Sequence, residues 1–176
     1  MSEVQKLKVA VVGLGPVGMI LAVKLVEAGC DVAICDKDEF KLKKIREEGI
    51  VLQHIFPSTT KFDKVYNSTI DMVNLDLDYI VFSLKTYHTA SAVREAEILK
   101  TDQITAIAAQ NGIDVEQLLV PAFGESKSAR MIINYAGNQI SPNTIRVNFF
   151  TPPNYIAMLD DTKTERTQAF ADVLNS

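Results

Sequence analysis

The sequence predicts an α/β fold of the doubly wound type, in which a mostly parallel sheet carries helices on both faces. Two observations support this class. Short apolar segments typical of buried strands alternate with helix-like segments along most of the 176 residues, and such alternation indicates parallel strand pairing. The first strand is also followed at once by a glycine-rich turn and an apolar helix.

The glycine-rich turn carries the pattern Gly13-x-Gly15-x-x-Gly18 between a predicted strand at residues 8–12 and a predicted helix at 19–28. In dinucleotide-binding domains the first glycine permits the tight turn, the second lets a pyrophosphate approach, and the third lets helix and strand pack closely. Pro16 suits the first helical turn, where its missing N–H has no partner to lose. We interpret the turn as a phosphate-binding loop that uses the positive end of the helix dipole.

A second predicted strand covers residues 31–36 and ends in a carboxylate, Asp36. An acid about 20 residues after the first glycine can accept hydrogen bonds from the adenosine ribose. The alternative is an ordinary βαβ unit whose glycines serve packing alone. Because turn, strand, helix and acid coincide, we favour dinucleotide binding.

The remaining elements continue the alternation, although residues 50–65 predict only an irregular strand or two. The other predicted helices are 38–48, 90–99, 115–120 and 162–174, and the other predicted strands are 78–84, 103–108, 129–134, 144–149 and 155–158.

The amino-acid composition and the net charge exclude several classes of protein. The hydrophobic content of 47% and the charged content of 23% are typical of a globular protein, and we predict one NAD(P)-binding Rossmann domain over residues 1–176. The net charge of −4 argues against a nucleic-acid-binding surface. No apolar run is long enough to span a membrane, and residues 1–6 lack the apolar core of a signal peptide. We therefore expect a cytoplasmic protein without nucleic-acid or membrane partners.

Cys30 and Cys35 are the two cysteines. Five positions apart along an extended segment, they lie too far from each other to form a disulfide. The two histidines are scattered far along the chain from the cysteines, and the four residues together show no metal-ligand spacing. We predict free buried thiols and no metal site.

Ligands of parallel sheets bind beyond the carboxyl ends of the strands, so residues 13–18, 83–88 and 110–112 should converge on one crevice. There Lys85 could hold a phosphate, a ribose or a substrate carboxylate, or it could be a solvated lysine. Asn111 could direct its amide to a nicotinamide or to a substrate carbonyl, or it could be a turn residue. His88 is a general-acid candidate by residue type, whereas His54 has no supporting context.

Four motifs together resemble the ketopantoate reductase (2-dehydropantoate 2-reductase) family. They are Gly13-Leu14-Gly15-Pro16-Val17-Gly18, Leu84-Lys85-Thr86-Tyr87, Gln110-Asn111-Gly112 and Ala136-Gly137. The resemblance implies NADPH-dependent reduction of a 2-oxo acid by an N-terminal Rossmann domain and a C-terminal helical domain. It further implies that the glycine loop holds the pyrophosphate, that Lys85 and Asn111 contact the cofactor, with Asn111 beside the substrate, and that Ala136 makes a backbone contact to the cofactor.

The chain departs from that family in two respects. Members that use NADPH usually have a basic residue at the end of the second strand, where this chain has Asp36 and then Lys37. Asp36 favours NAD, whereas the resemblance favours NADP. The family's catalytic lysine and its substrate-binding Asn, Ser and Glu lie in the helical domain, which would begin after residue 176. We therefore expect the chain to bind a dinucleotide but to catalyse poorly alone, and we assign no catalytic residue within it, Asn111 being the candidate on the substrate side.

The predicted cofactor-binding residues are Gly13, Leu14, Gly15, Pro16, Val17, Gly18, Asp36, Lys37, Lys85, Asn111 and Ala136. The expected partners are NADP or NAD, a small 2-oxo acid, and either a second copy of the chain or a separate helical domain. Two alternatives stay open: a stand-alone nucleotide-binding or sensor module without redox chemistry, and a different small hydroxyacid or opine-type dehydrogenase.

Overall fold

The computed structural model describes residues 6–161 and 164–175. Residues 1–5, which contributed to the signal-peptide argument, and residues 162–163, at the start of the predicted last helix, lie outside the described part. The described strands and α-helices are, in chain order, β1 (Lys8–Val12), α1 (Pro16–Glu27), β2 (Asp31–Cys35), α2 (Glu39–Glu48), β3 (Ile50–His54), β4 (Ser58–Thr60), β5 (Lys64–Tyr66), β6 (Tyr79–Phe82), α3 (Thr86–Ala96), β7 (Thr105–Ala108), α4 (Val120–Phe123), β8 (Ser128–Ile132), β9 (Tyr135–Ser141), β10 (Thr144–Phe150), β11 (Tyr155–Met158) and α5 (Thr164–Leu174).

The larger sheet has seven strands in the order β11-β8-β7-β6-β1-β2-β5. All neighbours pair in parallel except β11, which runs antiparallel to β8. Strand β1 lies inside this sheet, with Val9 to Val12 paired to β2 on one side and to β6 on the other. The chain leaves β1 toward β2 and β5 and then crosses back to β6, as in doubly wound dinucleotide-binding folds. The predicted fold class is confirmed.

A second sheet of four strands, in the order β4-β3-β10-β9, was not predicted. Residues 50–65 contribute to three strands rather than one or two, and the segment predicted at 144–149 belongs to this second sheet as β10. Strand β9 was missed altogether because its sequence, Tyr-Ala-Gly-Asn-Gln-Ile-Ser, has no apolar run. Its stability comes instead from antiparallel pairing with β10 across the turn at Pro142.

Helix α1 lies between the two sheets. It contacts β1 and β2 of the larger sheet and also β3, β9 and β10 of the smaller one. Met19, Ile20, Ala22 and Val23 have no exposed surface, which explains why this helix is apolar around most of its circumference. The opposite face of the larger sheet is covered by α3 and α4 through residues such as Val93 and Phe123. This packing fixes the start of α1 at the carboxyl end of β1.

Two helix starts differ from the predicted positions. Helix α1 begins at Pro16, and α3 begins at Thr86, ahead of the predicted start at 90. The earlier start places Lys85 at the N-cap position of α3 and His88 in its first turn. The helix predicted at 115–120 is divided into a 3₁₀ turn, Val115–Leu118, and the short helix α4.

Both cysteines are free and buried, as predicted. Within residues 6–161 and 164–175, no group of three or more His, Cys, Asp or Glu side chains has an arrangement that could hold a metal ion. In the same part of the chain, the helices are all too short or too polar to cross a lipid bilayer.

Candidate functional site

A cavity of about 710 Å³ opens at the carboxyl ends of β1, β2, β6 and β7. Its walls include residues 13–17, 35–38, 83–88 and 109–111. The three segments predicted to converge therefore meet at one place. The volume lies within the range of pockets that hold small molecules and cofactors, roughly 300–1,000 Å³.

The structure gives a different reason for the glycine at each of the three positions of the loop. Gly13 has a φ of +95°, which favours glycine, and its N–H donates to the carbonyl of Cys35 at 2.8 Å. A Cβ on Gly18 would lie 2.0 Å from the carbonyl oxygen of Gly13, so a larger residue cannot fit. By contrast, apart from Gly15 itself and its two chain neighbours, no described residue comes within 4 Å of a Cβ placed on Gly15. The fold itself requires Gly13 and Gly18, whereas Gly15 leaves space for something outside the protein.

The start of α1 is suited to an anion. Gly15 is the N-cap residue, and among the described residues no side chain caps this end and no acidic residue lies in its first turn. The helix has 12 residues, so its aligned peptide dipoles and free first-turn N–H groups favour negative charge here.

Asp36 holds the glycine loop to the end of β2. Its Oδ2 accepts a hydrogen bond from the Leu14 N–H at 2.7 Å and from Lys41 Nζ at 3.1 Å, and its Oδ1 accepts from the Asp38 N–H at 3.0 Å. The sequence predicted a ribose acceptor at this position. The structure adds a positioning contact between Asp36 and the loop, and it leaves the carboxylate on the cavity wall.

Lys37 forms an ion pair with Glu95 of α3 on the cavity wall, with 3.3 Å between Nζ and Oε2. Oε1 of Glu95 accepts hydrogen bonds from the Ser68 hydroxyl at 3.0 Å and from the N–H and hydroxyl of Thr69, both at 3.1 Å. Partial burial alone would raise the pKa of Glu95, but these hydrogen bonds together with Lys37 outweigh it and lower the pKa. Sequence reasoning missed Glu95, because no motif marks a glutamate in the last turns of a helix.

Lys85 and Asn111 border the cavity on the other side of the glycine loop. Both are exposed, and among the described residues neither the Lys85 ammonium nor the Asn111 amide has a hydrogen-bond partner. Arg130 stabilises the loop that carries Asn111. It donates to the carbonyl of Gly112 at 2.7 Å and forms an ion pair with Glu116. Arg130 was not predicted, because it lies within a strand and away from the motifs.

His88 shares the cavity with the predicted segments, whereas His54 and Ala136 lie outside its lining. His88 is on the cavity wall, with its ring 4.3 Å from that of Tyr87. His54 lies on the second sheet, where Nδ1 is 2.9 Å from the carbonyl oxygen of Val147. Ala136 is on β9 and outside the cavity lining; its neighbour Tyr135 donates a long hydrogen bond, 3.5 Å, to the Val17 carbonyl in α1.

Cys35, which sequence reasoning assigned to the core, also contributes to the cavity wall. Burial raises the pKa of its thiol to about 12, and the carboxylates of Glu95 and Asp36 add to the effect. The thiol is therefore protonated at neutral pH and is not an activated nucleophile.

Comparison with known proteins agrees with this geometry. The profile of the family described as ketopantoate reductase PanE/ApbA matches residues 9–159. A curated 2-dehydropantoate 2-reductase from Aquifex aeolicus (strain VF5) is 27% identical over 141 residues, which cover 80% of this chain and 43% of that protein.

Solved structures share the fold at low sequence identity. One is D-mandelate dehydrogenase in a ternary structure with NADH and anilino(oxo)acetate, with a TM-score of 0.85, 17% identity, and coverage of 96% of this chain and 54% of that one. Another is 2-dehydropantoate 2-reductase from Geobacter metallireducens GS-15, with a TM-score of 0.84, 19% identity, and coverage of 96% and 55%. The chain thus spans about half the length of the relatives it matches. Since the family profile matches most of its residues, the chain belongs to the ketopantoate reductase PanE/ApbA family.

Proposed function

We propose that residues 1–176 act as an NAD(P)-binding Rossmann domain whose glycine loop holds the pyrophosphate of the dinucleotide. The observation that carries the proposal is the open space at Gly15 next to the uncapped start of α1. The fold does not need a glycine at this position, but a pyrophosphate that approaches the backbone closely does. The N–H groups at the start of α1 then supply donors to the phosphate oxygens.

We infer the orientation of the dinucleotide from the arrangement of the strands. Asp36 and Lys37, after β2, border one end of the cavity, where the adenosine ribose lies in this fold. Lys85 and Asn111, after β6 and β7, border the other end and would therefore contact the nicotinamide half. The proposed contact residues in this chain are Gly13, Leu14, Gly15, Pro16, Val17, Asp36, Lys37, Lys85 and Asn111, with Gly18 in a packing role.

We further propose that the domain serves the reduction of a small 2-oxo acid, as the name of the Aquifex aeolicus relative states for that protein. The reduced dinucleotide supplies the hydride when bound. Asn111 would orient the substrate carbonyl with its side-chain amide, and the Lys85 ammonium would attract a carboxylate or a phosphate. The proton donor and the remaining substrate contacts would come from residues outside this chain, either a helical domain or a partner subunit.

For the choice of dinucleotide we propose a preference for NAD(H). The Asp36 carboxylate accepts a hydrogen bond from a ribose 2′-hydroxyl but repels a 2′-phosphate of about −1.5 to −2 charges. Two unit charges 4 Å apart interact by up to roughly 4 kcal/mol near a protein surface, less with salt. Salt and the exposed Lys37 ammonium, whose charge is already matched by Glu95, offset only part of this repulsion, so we expect NADH to bind about tenfold more tightly than NADPH, or about 1.4 kcal/mol.

The second candidate function is a nucleotide-binding sensor without redox chemistry. It is favoured by the nicotinamide end of the cavity, where His88 is the only histidine among the described lining residues and no other residue is of the type most often used as a general acid. Titration of the isolated chain with NADH and NADPH tests binding, and oxidation of either with ketopantoate tests catalysis. If the isolated chain binds a dinucleotide without oxidising it, and oxidation begins when a helical domain is added, the reductase is supported. If the chain binds a dinucleotide but does not oxidise it either alone or with the helical domain, the sensor is supported. Either role suits the cytoplasm, which we propose as the location because free thiols are kept reduced there.

A further inference from the structure

We propose that Glu95 determines which dinucleotide the site prefers, because it holds the Lys37 ammonium in an ion pair and so withholds it from a ribose 2′-phosphate. This inference rests on the proposed function, since it concerns the adenosine end of the same cavity. It assigns a specificity role to a residue of α3 that lies outside the glycine loop and outside the second strand.

Glu95 is fixed in place by the protein. Its side chain is only 24% exposed, and its Oε1 accepts three hydrogen bonds, from the Ser68 hydroxyl and from the N–H and hydroxyl of Thr69. Those bonds leave Oε2 directed at Lys37, 3.3 Å from Nζ. Lys37 itself is 72% exposed, so the lysine is the mobile partner and the glutamate is the fixed one.

The second lysine at this end is also engaged. Lys41 Nζ lies 3.1 Å from Oδ2 of Asp36, and both side chains are mostly buried. The two ammonium groups that border the adenosine end are therefore each matched by a carboxylate. A 2′-phosphate would have to break one of these pairs to gain a cation, whereas a 2′-hydroxyl needs none.

Glu95 permits a cleaner substitution than Asp36. In Glu95→Gln the remaining Oε1 can still accept from Ser68 and Thr69, while an uncharged amide replaces the oxygen that faces Lys37. The substitution therefore frees Lys37 and preserves the bonds that fix the side chain. In Asp36→Asn the contact to Leu14 and the pair with Lys41 are affected together.

The experiment compares NADH and NADPH, which differ only at the ribose 2′ position, by titration of nicotinamide fluorescence in the whole chain. We expect Glu95→Gln to raise the affinity for NADPH relative to NADH about fivefold, in line with one weak, partly exposed ion pair. Glu39→Gln is the matched control, since it removes the same charge near the same end of the cavity but off its lining. Lys37→Met, alone and combined with Glu95→Gln, completes a double-mutant cycle.

The ratio of NADPH to NADH affinity in these variants decides the inference. A gain in Glu95→Gln that disappears in the double variant supports it, as does a larger effect of Lys37→Met when Glu95→Gln is already present than in the native chain. An equal gain in Glu39→Gln, or a gain that persists without Lys37, overturns it in favour of a general field effect.

If the native chain binds neither dinucleotide, the proposed function fails and the inference fails with it. If the native chain binds but Glu95→Gln leaves the ratio of NADPH to NADH affinity unchanged, the inference alone is refuted. Lys37→Met alters only an exposed side chain, so the lysine half of the cycle can be measured even if Glu95→Gln does not fold.

Discussion

The buried side chains of Thr89 and Gln110 are hydrogen-bonded to each other, with Gln110 Nε2 donating to Thr89 Oγ1 at 2.9 Å. The Thr89 hydroxyl also lies 3.4 Å from the carbonyl oxygen of Lys85. Gln110 directly precedes Asn111, and Thr89 is in the first turns of α3, just after Lys85. The pair therefore joins the two segments whose free polar groups border the proposed nicotinamide end.

Thr89→Val removes the hydroxyl with little change of shape and leaves the buried Gln110 amide without this partner. Such a loss costs about 1–3 kcal/mol, and we expect it to loosen Asn111 relative to Lys85. The affinity for NADH should fall about three- to tenfold, or about 0.7–1.4 kcal/mol, while that for ADP-ribose, which lacks the nicotinamide, changes much less. Thr89→Ser keeps the hydroxyl and should restore NADH binding. If Thr89→Val lowers the affinity for NADH and for ADP-ribose by the same factor, the pair has only a general structural role.

Asp36→Asn removes the charge that we propose faces the adenosine ribose. The expected tenfold preference for NADH should narrow to about threefold, because the repulsion of a 2′-phosphate is weaker without the carboxylate and Lys41 loses its partner. Lys41→Met is the matched control and should shift the ratio the opposite way. Fluorescence titration at two salt concentrations checks both variants, and an unchanged ratio in Asp36→Asn would mean that the carboxylate acts on the loop alone.

Arg166 anchors helix α5 to the sheet. Its guanidinium donates to the carbonyl oxygens of Asp102, Gln103 and Ile104, and the Tyr79 hydroxyl donates to the Arg166 carbonyl at 2.7 Å. Arg166→Leu should lower the free energy of unfolding by about 1–3 kcal/mol, because several carbonyls lose their donor together. Arg94→Leu, at an exposed position of α3, should change it by less than about 0.5 kcal/mol. Urea unfolding measures both, and equal effects would contradict the anchoring role.

The two thiols should react slowly in the folded protein. Burial raises the pKa of both, that of Cys35 to about 12, and nearby carboxylates contribute. Since the thiolate is the reactive form, labelling by a disulfide reagent at pH 8 should be at least about tenfold slower in the native chain than in urea. The rate should increase with pH up to the alkaline limit of the fold. Rapid native labelling of Cys35→Ser would place Cys30 in an accessible site, contrary to the structure.

Hydrophobic pattern was sufficient to predict a mostly parallel sheet, because strands such as β1 and β6 are buried on both faces and read as apolar runs. The smaller sheet could not be predicted from local pattern, since Tyr135–Ser141 is half polar and depends on pairing with β10 and not on an apolar run of its own. In the cavity, motif spacing predicted the convergence of Gly15, Lys85 and Asn111. Glu95 and Arg130 escaped prediction because their roles depend on contacts with residues far away in the chain, Lys37 and Gly112 respectively.

The most direct test of dinucleotide binding is calorimetric titration of the native chain and of Gly15→Val with NADH. Gly15 has a φ of −77°, and no described residue beyond its two chain neighbours lies within 4 Å of a Cβ placed there, so the variant should fold with an unchanged melting temperature. We expect saturable one-to-one binding to the native chain and a loss of at least about tenfold, or 1.4 kcal/mol, in Gly15→Val. Gly18→Ala, in contrast, should destabilise the fold because its Cβ would meet the Gly13 carbonyl. Equal binding by a folded Gly15→Val variant, or no binding by the native chain, would contradict the assignment of this loop to the pyrophosphate.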